Sequence, residues 1–243
     1  MTLLAETPAL WDEVFREPSD RMAFVTRMLR GVHDSVLDVG CATGNLCIAL
    51  RARGLHMVGL DRNAVFIDAA RAKDPAGEYL VGNMCALRLR RRFDVILCLG
   101  TTIAYARTNE EVRATLSGFH RHLSSGGRVM IDVLNAAAFL GPRPFRSETR
   151  HAFVIGGERT TATIVHRLRL QQQQITEQVT WSGRRRGRSW VRRDPEDKHR
   201  LFFPQELAFT LDAAGFSRVT LRDGYARASK DFGGRRLIAI ATK

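Results

Sequence analysis

Short apolar stretches alternate with amphipathic stretches along the first 135 residues of the chain. The apolar stretches predict buried strands at 35–39, 56–60, 78–81, 93–99 and 128–134. Apolar positions recur with helical spacing at 9–31, 45–53, 63–73 and 109–124. Strands and helices that alternate with short links are typical of a parallel sheet covered by helices on both faces, so we expect a doubly wound α/β fold.

The pattern changes after Asn135. Three β-rich stretches, at 160–170, 175–181 and 188–191, follow one another without a helical segment, which predicts an antiparallel insert. The polar run 171–174 is expected in a hairpin turn or an edge strand. A helix over 205–214 begins after Pro204, and two strands, at about 217–223 and 235–242, close the chain. We therefore divide the chain into an N-terminal helical arm (1–30), a core (31–144), a β insert (145–200) and a C-terminal part (201–243) that completes the core sheet.

Composition excludes several classes of protein. Of the 243 residues, 44% are hydrophobic and 26% charged, too apolar a composition for a disordered chain. No apolar run reaches the ~20 residues that span a bilayer, and the N-terminus lacks the basic start of a secretory signal. The cysteines lie in apolar segments without paired spacing, as reduced residues do. We expect a cytoplasmic protein, not a membrane, secreted or fibrous one.

The net charge of +13 is concentrated in one segment. Residues 143–200 hold 14 basic and 6 acidic side chains, and the densest basic stretch is Arg184–Arg186 with Arg188, Arg192 and Arg193. Such a patch attracts anions through its field. Two interpretations stay open: a solvated basic loop, or a functional surface that covers the entrance for an anionic acceptor.

The most informative motif is a glycine-bearing turn between the first strand and its helix. Gly40 and Gly44 let a ligand approach the backbone at a helix N-terminus. Asp38 before the turn would repel a pyrophosphate and suits a ligand that carries an amino group. Asp61 ends the second strand, where a carboxylate can accept both hydroxyls of a ribose.

This motif and those that follow it resemble the class I S-adenosylmethionine-dependent methyltransferases. The resemblance covers most of the chain and rests on five segments in order: 37–44, 58–61, 82–84, 93–98 and 122–127. It implies a Rossmann-like, doubly wound sheet of seven strands with an antiparallel β insert after strand five. It also implies S-adenosylmethionine as the cofactor and S-adenosylhomocysteine as the product.

The resemblance assigns cofactor-binding roles residue by residue. The expected cofactor contacts are Trp11, Asp38, Gly40, Cys41, Ala42, Gly44, Asp61, Arg62, Asn83, Met84, Leu99 and Gly100. Two of these depart from the family pattern. Ala42 replaces a common glycine, and Asn83 replaces an aspartate that takes the adenine amino group, although its amide oxygen can still accept that hydrogen bond.

The order of the insert and the last helix is similar to that of aminosugar and glycine N-methyltransferases. It implies an N-terminal arm with Trp11 as a lid, and the insert as a substrate cap and a surface for a homodimer; the alternative for Trp11 is an anchor of its helix in the core. We expect substrate contacts at Tyr105, Asn135 and Phe203, with loop or core packing as the alternative for each. Tyr105 and His120 are the candidates for catalysis, because a hydroxyl acceptor needs a general base whereas a neutral amine does not.

The sequence thus predicts a methyltransferase that acts at nitrogen or oxygen of a small, specialised metabolite, without a metal. RNA or DNA methylation stays open because of the basic segment, although the motifs of base methylation are missing after strand four. A peptide or protein acceptor is a second alternative, with the arginine-rich insert as the docking surface. A non-enzymatic role is the third, and failure to bind S-adenosylmethionine would favour it.

Overall fold

The protein is described by a computed structural model. The structure describes residues 1–16, 18–29, 35–140, 145–155, 157–185, 187–225 and 232–243. Its helices are α1 (Leu3–Glu6), α2 (Pro8–Val14), α3 (Ser19–Met28), α4 (Asn45–Arg51), α5 (Ala64–Lys73), α6 (Asn109–His122) and α7 (Pro204–Ala213). None of these helices, in the part of the chain that the structure describes, is long and apolar enough to cross a membrane.

Twelve strands form two sheets. They are β1 (Ser35–Val39), β2 (His56–Asp61), β3 (Glu78–Val81), β4 (Phe93–Cys98), β5 (Leu123–Leu134), β6 (Glu148–Ile155), β7 (Glu158–Arg169), β8 (Gln174–Arg185), β9 (Arg188–Arg193), β10 (Asp197–Arg200), β11 (Ser217–Asp223) and β12 (Arg236–Thr242). The larger sheet has the order β3-β2-β1-β4-β5-β12-β11, with β12 antiparallel to its neighbours β5 and β11. The predicted seven-stranded, doubly wound fold is therefore confirmed.

The core consists of apolar side chains on both faces of the seven-stranded sheet. Leu37, Ile96 and Ile131 point to the face covered by α6 and α7, and Val36, Leu97 and Met130 point to the face covered by α3, α4 and α5. Successive residues of one strand thus enter different clusters, as expected when a parallel strand is buried on both sides. Because the parallel strands share one direction, the loops after β1, β2, β3 and β4 meet at a single edge, which we call the carboxyl edge.

The insert forms the second sheet. Strands β6, β7 and β8 are antiparallel neighbours, and β8 also pairs with β9 at one end and β10 at the other. The polar run after β7 makes a short 3-10 turn at Leu170–Gln172, so the expected hairpin connection is present. Neither β6 nor β10 was predicted, because their sequences lack the alternation of apolar and polar residues that indicates a strand.

Two predicted helix boundaries are wrong. The segment 9–31 is not one helix, because α2 ends at Val14 and α3 begins after Pro18, which has no N–H to continue a helix. Residues 30 and 31 lie outside the described residues, as do 141–144 at the predicted border of core and insert. The helix predicted at 109–124 ends earlier, because α6 ends at His122 and β5 begins at Leu123, five residues before the predicted strand at 128–134.

Candidate active site at the carboxyl edge

The glycine turn after β1 is attached to the neighbouring strand by its backbone. The amide nitrogens of Gly40 and Cys41 both donate to the carbonyl oxygen of Leu60 in β2, at 2.7 and 3.1 Å. Gly40 and Gly44 have φ angles of +77° and +80°, which favour glycine, and Gly44 caps α4. A Cβ atom at Gly40 would lie 2.9 Å from Cβ of Thr102 and closer still to the rest of that side chain. The turn therefore touches the loop after β4.

Asp61 fixes the middle of this turn. Its Oδ2 accepts from the backbone nitrogen of Ala42 at 2.9 Å, and its Oδ1 accepts from Asn63 at 2.8 Å. Burial raises the pKa of Asp61, while these hydrogen bonds oppose the rise. Each carboxylate oxygen keeps a further lone pair, so the group is oriented and can still accept the two hydroxyls of a ribose. Ala42 has a φ of +47°, so this departure from glycine places a side chain in the left-handed region.

Beneath the turn lie buried acid and thiol groups. Cys47 Sγ donates to Asp38 Oδ2 at 3.5 Å, and Asp38 is almost fully buried. Burial raises the pKa values of Cys41 and Cys47, and the charge of Asp38 raises them further, so both groups remain thiols near neutral pH. All four cysteines are free, as expected for reduced residues.

Asn83 and Met84 follow the end of β3. The side-chain oxygen of Asn83 accepts from the backbone nitrogen of Cys85 at 3.0 Å and begins a short 3-10 turn. Asn83 is exposed at the surface, whereas Met84 is buried in the core. One lone pair of the Asn83 oxygen is therefore already used. The predicted hydrogen bond to adenine would involve the second lone pair or the N–H groups of the side-chain amide.

A buried acid supports the loop after β4. Gly100 and Thr101 both have left-handed φ angles, +66° and +71°, and the backbone nitrogen of Thr101 donates to Asp132 Oδ1 at 3.1 Å. Arg236 Nη1 lies 2.6 Å from the same oxygen, and Asp132 Oδ2 is buried without a hydrogen-bond partner among the described residues. Asp132 of β5 thus orients the loop that contains Leu99 and Gly100, two of the expected cofactor contacts. Asp132 was missed, although an acid inside the apolar stretch 129–133 was a signal that could have found it.

Tyr105 connects the carboxyl edge to the insert. Its hydroxyl donates to Asp197 Oδ2 in β10 at 2.8 Å, and the His199 ring packs edge-on against its ring at a centroid distance of 4.8 Å. The Arg62 guanidinium, next to Asp61, lies 5.0 Å from the centroid of the Tyr105 ring. Burial raises the pKa of Tyr105, and the charge of Asp197 adds to the rise, so its hydroxyl stays protonated.

Asp197 and His199 are two further residues of this edge that the sequence analysis did not find. They are alternate residues of β10, whose four residues Asp-Lys-His-Arg contain no apolar side chain. A strand without apolar residues gives no periodic signal, and its place beside Tyr105 depends on the insert fold. Only the acid-x-histidine spacing could have indicated them, and that spacing alone is weak.

The N-terminal arm is fastened over the glycine turn. Asp12 Oδ1 accepts from Asn45 at 2.8 Å and from the Thr43 hydroxyl, and its Oδ2 lies 2.9 Å from Lys73 Nζ. Partial burial works to raise the pKa of Asp12, but these partners outweigh it and hold the pKa below its usual value. The Trp11 ring lies 4.8 Å from Phe66 of α5, measured between centroids. Trp11 is thus held beside the turn by α5, and its predicted contact with the cofactor stays a proposal.

The other end of the arm is fastened to the insert. Leu3 donates its backbone N–H to Asp194 Oδ1 at 2.9 Å, and Glu6 pairs with Arg192 at 2.9 Å. Asp194 is buried and also accepts from Trp181 Nε1 at 2.8 Å. The arm therefore spans the gap between the glycine turn and the insert.

Replacing Asp12 by Ala is expected to speed the release of S-adenosylhomocysteine about tenfold, since the arm loses its bonds to Thr43, Asn45 and Lys73. Stopped-flow displacement of the bound nucleoside measures the rate. Glu13→Ala is the matched control, because Glu13 is an exposed acid on the same helix. Equal release rates for both variants would show that the arm does not retain the ligand.

Two predicted residues are not brought to this site. His120 lies in the last turn of α6, with its ring 5.2 Å from that of Phe216, near Lys243 at the opposite edge of the sheet. Asn135 donates to the carbonyls of Phe232 and Gly234 at 2.7 and 2.9 Å. Its oxygen accepts from Ala137, so its side chain organises backbone and is not presented to a ligand. The prediction of a catalytic His120 is therefore withdrawn, because the residue is at the wrong end of β5.

Phe203 lies between the sheet and the insert. It packs against a small apolar cluster with Ala136, Ile175 and Leu201, and it precedes α7. Its predicted substrate contact stays a proposal, since its ring is only partly buried.

The arginine-rich stretch forms the tip of the β8–β9 hairpin. Arg184 and Arg188 are exposed there, and Arg186 lies outside the described residues. Arg184 is seven residues from Glu177, the partner of Asp197 across the strands, or roughly 23 Å along β8. The tip is therefore distant from Tyr105. No group of three His, Cys, Asp or Glu side chains that could hold a metal occurs within the described residues.

Comparisons with known proteins agree with this geometry. Residues 36–127 match the family model of a methyltransferase domain. The cypemycin N-terminal methyltransferase of a Streptomyces species is 34% identical over 107 residues, which cover 43% of this chain and 44% of that protein. The dTDP-4-amino-2,3,4,6-tetradeoxy-D-glucose N,N-dimethyltransferase of Saccharopolyspora spinosa is 34% identical over 98 residues, 40% of this chain and 39% of the relative. The matched segment thus spans less than half the length of either relative.

A solved structure extends the likeness of the fold to almost the whole chain. The sugar N-methyltransferase KedS8 from a Streptoalloteichus species superimposes with a TM-score of 0.81 over 97% of this chain and 91% of that one, at 19% identity. At this identity the likeness concerns the fold. Residues 36–127 thus match a methyltransferase domain, and the glycine turn, Asp61 and the sheet order agree with that match.

Proposed function

We propose that the protein transfers a methyl group from S-adenosylmethionine to an amine nitrogen of a small, specialised metabolite in the cytoplasm. The observation that carries the proposal is the position of Tyr105. It touches Arg62 beside the ribose acid on one side and Asp197 of the insert on the other. An acceptor held between the sheet and the insert would therefore meet the cofactor at this residue.

The residues at the carboxyl edge fit the cofactor. The left-handed turn at Gly40 lies directly against Thr102 of the loop after β4, and Asp61 offers oriented lone pairs for the ribose. S-adenosylmethionine supplies a methyl group on a positively charged sulfur, which a nucleophile displaces in line. The task of this chain is to align the acceptor and exclude water, and the arm and the insert cover the edge for that purpose.

Nitrogen is favoured over oxygen as the methylated atom. The two relatives and the solved structure described above carry names that specify an N- or N-terminal methyltransferase. The acids Asp197 and Glu177 near Tyr105 would also attract an ammonium group, whereas the exposed arginines are remote from this point. An amino sugar bound to a nucleotide is one acceptor of this class.

The test uses methyl-labelled S-adenosylmethionine with the full chain. The enzyme is incubated with a lysate, which is then divided into small-molecule, protein and RNA fractions, and separately with dTDP-amino sugars. We expect label in the small-molecule fraction, and less of it with Asp61→Ala as the control at a low concentration of S-adenosylmethionine. Label in RNA or protein alone would contradict the proposal and make the arginine-rich hairpin a binding surface.

A homodimer through the insert is proposed as well, and sedimentation of the same sample measures it.

A further inference from the structure

A row of ionisable side chains crosses three strands of the insert behind Tyr105. His166 of β7, Glu177 of β8 and Asp197 of β10 are direct partners in the strand register. His166 Nδ1 lies 3.4 Å from Glu177 Oε1. His199 Nε2 lies 3.3 Å from Asp197 Oδ2, the oxygen that also accepts from Tyr105. The row therefore leads from the insert to Tyr105 at the carboxyl edge.

These groups are mostly shielded from water. The His199 and His166 side chains expose 12% and 15% of their surface, and Glu177 exposes 29%. Asp197 is more open, at 37%, so it is the member of the row that can exchange protons with solvent. A set of two acids and two histidines in such a place is costly to bury unless the charges compensate one another.

The ionisable groups of the row shift one another's pKa values. Burial lowers the pKa of His199, but its hydrogen bond to Asp197 and the charges of Asp197 and Glu177 outweigh this and raise it above the ordinary value. Burial raises the pKa values of Asp197 and Glu177, but their histidine partners outweigh it and lower both. Arg62 is the remaining charged group that faces Tyr105. The acids thus stay ionised, and the raised pKa of His199 brings its change of charge close to neutral pH.

An amine acceptor must lose a proton before it can be methylated. An alkylammonium group is protonated at neutral pH and has no lone pair to attack with. After deprotonation, the nitrogen lone pair forms the N–C bond as the C–S bond breaks, and the electron pair of that bond stays on sulfur. The positive charge moves from sulfur to nitrogen, so the whole reaction releases one proton.

We propose that His199, oriented by Asp197, takes up this proton, which reaches it through the hydroxyl of Tyr105. The proposal rests on the proposed function. The Tyr105 oxygen accepts the ammonium proton while its own proton passes to Asp197 and is shared with His199, and Asp197 then returns it to solvent. Tyr105 is the catalytic residue that touches the acceptor, and Asp197 and His199 are positioning residues that act through it. Transfer is faster above the His199 pKa, where the ring is neutral.

The test needs no knowledge of the acceptor. Sinefungin carries an amino group at the position of the transferred methyl, whereas S-adenosylhomocysteine carries none. Titration calorimetry with both ligands in buffers of different ionisation enthalpy counts the protons released on binding. We expect sinefungin to release about half a proton more than S-adenosylhomocysteine at a pH equal to the His199 pKa, because an ammonium group displaces the proton of His199. The difference vanishes at higher pH, where His199 is already neutral.

Variants distinguish proton uptake by His199 from a purely structural role of this residue. His199→Gln is expected to remove the extra proton release, whereas His151→Gln, at an exposed histidine of β6, keeps it. Asp197→Asn is expected to shift the pH at which the difference vanishes downward, since His199 loses the partner that raises its pKa. A rigid structural contact would leave the proton count unchanged in every variant.

Each outcome decides one question. Equal proton release by the two ligands in the native protein, or an unchanged difference in His199→Gln, overturns the proposal while the methyltransferase function stands. Failure of both ligands to bind the native protein overturns the proposed function and this proposal with it.

Discussion

Replacing Asp61 by Ala is expected to weaken the binding of S-adenosylmethionine at least ~30-fold, about 2 kcal/mol. Two losses add up in this variant. The ribose loses its charged acceptor, and the left-handed backbone at Ala42 loses the hydrogen bond that holds it. Calorimetric titration of S-adenosylmethionine into both proteins measures the change.

Two further variants show whether the loss of affinity comes from the carboxylate of Asp61. Asp61→Asn keeps one oxygen acceptor without the charge, so we expect an intermediate affinity. Asp68→Ala removes an exposed acid of α5 and should bind as the native protein does. Unchanged affinity in Asp61→Ala would exclude Asp61 as the ribose ligand and reassign it to the turn alone.

Replacing Gly40 by Ala is expected to lower the free energy of unfolding by about 3 kcal/mol. The side chain would stand in the left-handed region and would also overlap the side chain of Thr102. The turn and the loop after β4 would have to separate, and these loops carry the proposed cofactor site. Urea unfolding followed by circular dichroism measures the loss.

Gly54→Ala is the matched control for this change. Gly54 has a φ of +86°, close to that of Gly40, but no other described atom lies within 4 Å of the added Cβ. The control thus carries the backbone cost of roughly 1–2 kcal/mol without the overlap. If both variants lost the same free energy of unfolding, overlap with Thr102 would contribute nothing. That result would contradict the close approach of the glycine turn to the loop after β4.

The parts of the site that are local in sequence could be predicted. Gly40, Gly44 and Asp61 follow strands with a clear apolar pattern, and parallel strands bring their ends to one edge without any knowledge of packing. Tyr105 was found for the same reason, since it follows β4. Its catalytic role stays a prediction.

The parts that depend on distant segments could not be predicted. Asp197 meets Tyr105 across 92 positions of sequence, on a strand that has no apolar residue. Asp194 and Leu3 meet across 191 positions, and nothing in either segment signals the other. Asn135 was placed at the correct end of β5, but its hydrogen bonds to the backbone of residues 232 and 234 depend on the closing strand of the sheet.

The arm's attachment at both ends bears on how many methyl groups are added in one encounter. We expect the spent nucleoside to be exchanged only when the arm leaves Thr43, and Leu3 of the same short segment is bound to Asp194 on the insert. Opening of the arm would then also uncover the acceptor. A singly methylated amine is then free to diffuse away before the next transfer. We expect distributive methylation, in which the monomethyl product accumulates ahead of any dimethyl product in a time course resolved by mass spectrometry.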